Sequence, residues 1–364
     1  MEKIKVGEKI QRFCSKYLVL VVAILTFIIG FFSIFVTAYF ENATYKFPSE
    51  KTAYRFDNSI VIIFLTLLSL ITLWGFSKLV KKIKSKWMFL GVVILTGIIQ
   101  FFWIFSIRFM PYADQENVIL CAKQLLHGEF REFSMPGSYF GIYPFQIGII
   151  YYIALVFRMF STENFLILQA LNVIFSLLNM FLMLKITKQL FKKEDVQKIL
   201  NILLLFFSIY FMFFNVHVYG NINGLTFGLV ALYFTLKYLE KRKKRYLVII
   251  AVSISISIAL KSNYNIFLCG IVLTLMLDFI KEKKLMTILG VVGIIFAYLI
   301  VQSGLKLSLE NTIDAKVPEG IPMIGYIYMG MHSSETMSSG WYSSVPVDTF
   351  QKNGFDEQKT SEED

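Results

Sequence analysis

Long apolar runs, repeated from residue 17 to residue 304, constrain this chain more than any other feature. A helix crossing about 30 Å of hydrocarbon needs roughly 17 to 25 mostly apolar residues, and its backbone polar groups must be satisfied within the helix itself. Nine segments fit or approach that description: 17–40, 59–77, 88–109, 163–184, 199–218, 220–238, 246–260, 265–280 and 285–304. The two that flank residue 261 are short, and a further apolar stretch, 142–160, is ambiguous. With 56% apolar and 17% charged residues in 364, and a mean hydropathy of +0.62, too little polar material remains to cover a soluble globule of this size. The expected fold class is an all-α polytopic membrane protein.

The first run resembles a signal peptide, because Lys3, Lys5, Lys9, Arg12 and Lys16 precede it. It is too long for an ordinary signal core and ends without a small-x-small cleavage site, so a retained helix over 17–40 is expected. Cys14, Cys121 and Cys269 show neither metal-ligand spacing nor a disulfide framework, and packing is their default role.

Charge orients the spans. The formal net charge of +11 falls in short clusters between apolar runs, as in cytoplasmic loops, and this argues against a nucleic-acid surface. Placing the N-terminus inside puts the 78–86 cluster inside too. If 142–160 does not cross, the basic loops 185–198, 237–245 and 281–284 join them, and the five clusters hold 24 of the 36 basic residues. The resulting expectation is nine spans in a bacterial cell membrane, the N-terminus cytoplasmic, the C-terminus outside, and 142–160 a juxtamembrane or re-entrant element. Tyr143, Pro144, Gln146, Tyr151, Tyr152 and Arg158 give that element the mixed character of an interfacial helix. An ordinary tenth span is the alternative. The tail 305–364 carries ten acidic and four basic residues, a net −6 that leaves +17 on the remainder and fits an outer segment.

Chemistry concentrates in the loop after the third span, where Arg108, Asp114, Gln115, Glu116 and Asn117 lie close together. A carboxylate there either accepts a proton from an attacking hydroxyl or caps the helix that begins near Asp114. Residues 117–128 read as a short amphipathic helix stopped by Gly128.

Several motifs occur in order: Pro111-x-x-Asp114-Gln115, then Ala122-x-x-Leu125-Leu126-x-Gly128-x-Phe130, then Tyr143-Pro144-x-Gln146-x-Gly148. Farther on come Lys261-x-Asn263-Tyr264, Pro318-x-Gly320-Ile321-Pro322-Met323 and Gly340-Trp341-Tyr342. Together they resemble the C-type integral-membrane glycosyltransferases related to protein O-mannosyltransferases, most closely the low-GC Gram-positive branch, over roughly 88–356. The resemblance implies a seven-helix core over 88–304 that includes an outer catalytic loop, 110–162. It leaves 1–87 as a cytoplasmic N-terminus with an added hairpin, and 305–364 as an extracytoplasmic segment where relatives continue into further helices, so a shortened member is expected.

By the same resemblance, Asp114 is the general base for transfer of a sugar from a polyprenyl-phosphate donor to a glycan, lipid or protein acceptor. Many relatives have a histidine after the Tyr-Pro pair, whereas this chain has Phe145, so no role is carried over there. Branches of the superfamily differ in metal use, so a divalent-metal requirement is left open; His127 and His332 lack partners at ligand spacing, which argues against a zinc centre, and no cofactor is assigned.

Lys261 interrupts the short hairpin near the outer headgroups, where its ammonium either meets a lipid-linked phosphate or snorkels from a tight turn. Arg108 is a second cation for the leaving group. Gln115, Glu116, Tyr143, Gln146, Asn263, Tyr264, Trp341 and Tyr342 complete the expected binding set. His217, Tyr219, Asn221 and Asn223 around Gly220 either line a pocket or form the turn itself. Glu129, Arg131 and Glu132 read as a solvated face. A non-catalytic subunit that binds or transports the lipid-linked sugar is the alternative function.

Overall fold

A computed structural model describes residues 2–40, 51–79, 83–333, 338–340 and 342–363, so Trp341 lies outside the described residues. Helix α1 (Glu2–Phe35) leads into an antiparallel hairpin of β1 (Val36–Phe40) and β2 (Thr52–Phe56). Then follow α2 (Ser59–Leu79), α3 (Ser85–Ile107), α4 (Asp114–His127), α5 (Arg131–Ser134), α6 (Tyr139–Ile142) and α7 (Ile147–Phe160). The long helices α8 (Leu166–Leu190), α9 (Glu194–Phe214), α10 (Asn221–Lys241), α11 (Lys244–Leu260), α12 (Asn265–Glu282) and α13 (Leu285–Ile313) come next. Short helices α14 (Met323–Met331), α15 (Val345–Lys352) and α16 (Glu357–Glu363) complete the order. Three-residue 3-10 turns stand at Pro144–Gln146 and Ser262–Tyr264.

Among the described residues, eight helices are long and apolar enough to cross a membrane. The protein is an all-α, multi-spanning membrane protein. Several boundaries differ from the sequence expectation, α13 among them, which runs on to Ile313 where its span was expected to end at 304. The first span was expected to run to residue 40 but ends at Phe35, and the β-branched and aromatic run Val-Thr-Ala-Tyr-Phe pairs with β2, Val36 opposite Phe56 and Phe40 opposite Thr52. The Thr37 hydroxyl donates to Asp57 Oδ2 at 2.7 Å and locks the base of this hairpin. The expected span 246–260 is α11, whose 17 residues rise only about 25 Å, so it is not among the eight. In 142–160, the continuous α-helix begins at Ile147, after the end of α6 and the 3-10 turn, and its 14 residues rise about 21 Å. A ninth candidate span arises only if the broken pair Arg131–Ile142 and Pro144–Phe160 is counted as one.

The chain divides into two compact units: residues 1–74, 135–144 and 318–364, and residues 75–134 and 145–317. In the first, Ile142, Ile321, Met329, Val347 and Phe350 form a small core against which Tyr143, Tyr326 and Phe355 pack. The Ile321 amide donates to the Ile142 carbonyl at 3.2 Å, and Gly320, at φ 83°, lies where a Cβ would stand 2.5 Å from the Pro144 ring.

In the second unit α11 is the central helix. Ile250, Ile254 and Ile258, four residues apart on one face, are fully or nearly fully buried with Leu268, Ile271 and Leu275 of α12 and Val291 and Ile294 of α13. Helix α10 approaches α11 closely through Gly224 and Gly228, a small-xxx-small pair, and the Ser257 hydroxyl donates to the Gly224 carbonyl at 2.7 Å. At the far end of α10, Arg242 makes a bidentate pair with Asp278, one of its bonds 2.7 Å long, which joins α10 to α12. A second cluster packs Val92 of α3, Met180 of α8 and Leu204 and Phe211 of α9 around Ile222.

Candidate functional site

The site is assembled at the end of the bundle where α9 stops at Phe214 and α10 begins at Asn221. The backbone between them is not helical, so its carbonyls need partners that an apolar environment does not supply. Helix α8 supplies them from Gln169, Asn172 and Asn179, which are buried with Ser176 on one stripe at spacings of three or four residues. Gln169 Nε2 donates to the Phe109 and Val216 carbonyls at 2.9 and 3.1 Å. Asn172 Nδ2 donates to the Asn215 and His217 carbonyls at 3.1 and 2.9 Å. Asn179 Nδ2 donates to the Ile222 carbonyl at 3.0 Å. Gln100 of α3 accepts from both the Ser176 hydroxyl, at 2.6 Å, and Asn215 Nδ2, at 3.0 Å.

Two glycines bring other elements against this loop. A Cβ on Gly220, which also has φ 78°, would stand 2.1 Å from the Leu260 carbonyl oxygen, and one on Gly148 of α7 would stand 2.1 Å from that of Ala259. Only residues without a side chain allow both backbones to press on the last turn of α11. Lys261 follows that turn, and its Nζ lies 3.5 Å from the centroid of the Tyr219 ring.

Tyr219 is the hub. Its hydroxyl donates to Asp114 Oδ2 at 3.1 Å and accepts a hydrogen bond from Gln146 Nε2, while its ring faces the Lys261 ammonium. Asp114 does not cap α4: the N-cap position is Ala113, at φ 51°, and the carboxylate on the first helical residue turns to Tyr219. Gln115, buried beside it, accepts from the Val218 amide at 2.9 Å and meets His217 Nδ1 at 2.8 Å. Tyr112, Ala113, Asp114, Gln115, Phe214, His217, Tyr219 and Asn221 line an open pocket of about 230 Å³.

Burial pushes the Lys261 ammonium down to about 8, with the Asp114 carboxylate working in the opposite direction. It therefore remains a cation at neutral pH but titrates far below an ordinary lysine. Burial likewise holds the His217 imidazole below its usual range. The Cys121 thiol is pushed up to about 12, chiefly by burial within α4, and is inert packing.

The expected residues thus separate into those gathered here and those elsewhere. Asp114 and Gln115 line the pocket, Gln146 and Lys261 reach it through Tyr219, and Tyr264 braces it, its hydroxyl donating to the Asn221 carbonyl and its ring lying where a Cβ on Gly224 would stand 2.5 Å away. Arg108 is exposed and caps α3 at φ 47°, Glu116 is exposed in the first turn of α4, and Asn263 is exposed in the 3-10 turn; none lines the pocket. Tyr143 packs on the core of the first unit, and Tyr342 of that unit is exposed. His217, Tyr219 and Asn221 are both turn and pocket wall, so the two readings of that segment coexist.

Sequence reasoning missed the amides of α8. Their signal was Gln169-x-x-Asn172-x-x-x-Ser176-x-x-Asn179, a polar stripe at helical spacing in an otherwise apolar span. His127 also has a partner the sequence did not suggest: its Nε2 meets Glu163 at 2.5 Å, and Lys123 lies 3.5 Å from the same carboxylate. Among the described residues no group of three or more His, Cys, Asp or Glu is placed to hold a metal ion.

The fold and site define a multi-pass integral membrane protein with a carboxylate and a cation joined through one tyrosine at a helix-end pocket. Residues 146–304 match the family described as dolichyl-phosphate-mannose-protein mannosyltransferase. That stretch, rather less than half of the chain, is similar to an O-mannosyltransferase-like domain and lies within the membrane bundle. The matched stretch starts at Gln146 and takes in Tyr219 and Lys261, whereas Asp114 precedes it. No curated protein and no solved structure matches the chain.

Proposed function

We propose that this protein transfers a sugar from a polyprenyl-phosphate donor to a cell-envelope acceptor at the outer face of a bacterial membrane, as a C-type glycosyltransferase with a cytoplasmic N-terminus. Asp114 takes the proton of the acceptor hydroxyl, the freed oxygen pair attacks the anomeric carbon, and the bond from that carbon to the phosphate oxygen breaks with inversion. Polyprenyl phosphate leaves with the bonding electrons, and Lys261 stabilises the charge it gains. The core 88–304 houses this reaction, with the loop 110–162 supplying the base.

The observation that carries this reading is the contact of one tyrosine with both groups: the Tyr219 hydroxyl on Asp114 and the Tyr219 ring beneath Lys261. A base for the attacking oxygen and a cation for the departing one belong a few ångströms apart in a displacement, and a ring between them keeps them from collapsing into an ion pair. Purified protein supplied with polyprenyl-phosphate hexoses tests it by loss of donor. Asp114→Asn, which keeps the shape and removes the base, is expected to lower turnover at least a hundredfold. Equal turnover in both proteins refutes the mechanism, and donor binding without turnover in wild type favours a non-catalytic carrier.

A further inference from the structure

The pocket has a chemistry distinct from that of the cation beside it. Among the described residues no lysine or arginine lines it, and Lys261 stands on the ring of Tyr219, outside the lining. Its lining residues bring a carboxylate at Asp114, an imidazole at His217, amides at Gln115 and Asn221, and the aromatic residues Tyr112, Phe214 and Tyr219. Fixed acceptors and donors beside aromatic faces suit a neutral ring bearing hydroxyls, which both give and receive hydrogen bonds and whose C–H faces stack on arenes. An anion finds no countercharge in that set.

The protonation of the imidazole follows from its neighbour. Gln115 Oε1 accepts from the Val218 amide at 2.9 Å, and a backbone N–H can only donate, so the orientation of the Gln115 amide is fixed. Its Nε2 therefore points at His217 Nδ1, 2.8 Å away, and as a donor it requires Nδ1 to carry no proton. The neutral ring then carries its hydrogen on Nε2. Phe214 and Phe109 flank the ring at centroid distances of 5.5 and 6.3 Å and limit its rotation. The burial noted above keeps it neutral.

We infer that His217, locked by Gln115 as the Nε2–H tautomer, is the hydroxyl-reading residue of a pyranose subsite formed by Tyr112, Asp114, Phe214 and Asn221. This rests on the transfer reading for the origin of the sugar but not for the contact itself. The ring belongs either to the donor's hexose or to a glycan acceptor, and the recognition chemistry is the same in both.

The full chain in lipid nanodiscs, probed with methyl hexopyranosides and their monodeoxy analogues by ligand-observed NMR, tests the contact without turnover. In wild type, removal of one particular hydroxyl is expected to weaken binding about three- to tenfold, the worth of one neutral hydrogen bond. In His217→Phe that penalty disappears while the penalties for the other hydroxyls persist, and His217→Gln, which again offers an N–H, restores part of it. Should His217→Phe not fold, Gln115→Glu serves: its carboxylate accepts from Val218 and draws a proton onto Nδ1, and imidazole nitrogen spectra report the change.

Unchanged deoxy penalties in His217→Phe, a wild-type spectrum with Nδ1 protonated, or no binding of any hexoside overturns the inference. Displacement of the hexoside by a polyprenyl-phosphate hexose assigns the ring to the donor, and binding of both together assigns it to the acceptor; either keeps the His217 contact. A protein that never turns over yet shows the His217-dependent pattern refutes the transfer reading alone.

Discussion

Tyr219→Phe removes a single oxygen from the hub and leaves the ring under Lys261. The loss includes the hydrogen bond given to Asp114 at 3.1 Å and the one received from Gln146 Nε2. A hydrogen bond to a charged group contributes about 1.5–3 kcal/mol, and because Asp114 is exposed the lower end applies, about 1.5 kcal/mol. If that bond orients the carboxylate for proton transfer, its loss slows donor consumption roughly tenfold. Gln146 is only 5% exposed, and the loss of this acceptor for its N–H costs a further amount of about 1 kcal/mol in stability, not in rate. Thermal unfolding of the detergent-solubilised protein, followed alongside donor turnover, separates the two effects. The ring's cation–π contact remains, so the variant folds and its affinity for the donor is expected to change less than twofold. Turnover within a factor of two of wild type refutes the claim that Tyr219 positions Asp114. An equal loss in Tyr219→Leu and Tyr219→Phe assigns the whole effect to the hydroxyl.

Lys261 gives opposite pH trends in two measurements. Its pKa of about 8 lies below its unfolded value, so between about pH 8 and 10 the unfolded chain binds more protons and stability rises with pH. Donor affinity falls over the same window as the ammonium is lost; Lys261→Met abolishes both trends, and their persistence in that variant refutes the assignment. Gly220→Ala forces a Cβ to within 2.1 Å of the Leu260 carbonyl at a φ of 78°, so destabilisation above about 1 kcal/mol is expected together with loss of turnover. Full activity at unchanged melting temperature shows that the end of α11 does not need the close approach.

Much of the bundle was legible because hydropathy acts locally. The spans, the stop of α4 at Gly128 and the broken hairpin at Lys261 follow from runs of apolar residues and the residues that punctuate them. The end of α1 was not legible, because Val36–Phe40 is apolar enough to continue a span, and only pairing with Thr52–Phe56 makes it a strand. Asp114 illustrates the same divide within the site: its position at a helix start suggested a cap as readily as a base. The hydroxyl that draws its carboxylate away from capping comes from a residue 105 positions later.

By itself the sequence determined that this chain lives in a membrane, how long most of its helices are, and that polar chemistry collects at their ends, since each is set by the transfer free energy of short contiguous stretches. The tertiary structure alone decided which helix ends meet. Glycines at 148 and 220 set the approach to α11, the amides of α8 satisfy the loop after α9, and Tyr219 thereby falls between Asp114 and Lys261. Those choices depend on close approach and hydrogen-bond geometry between residues far apart in the chain, and no local pattern encodes them.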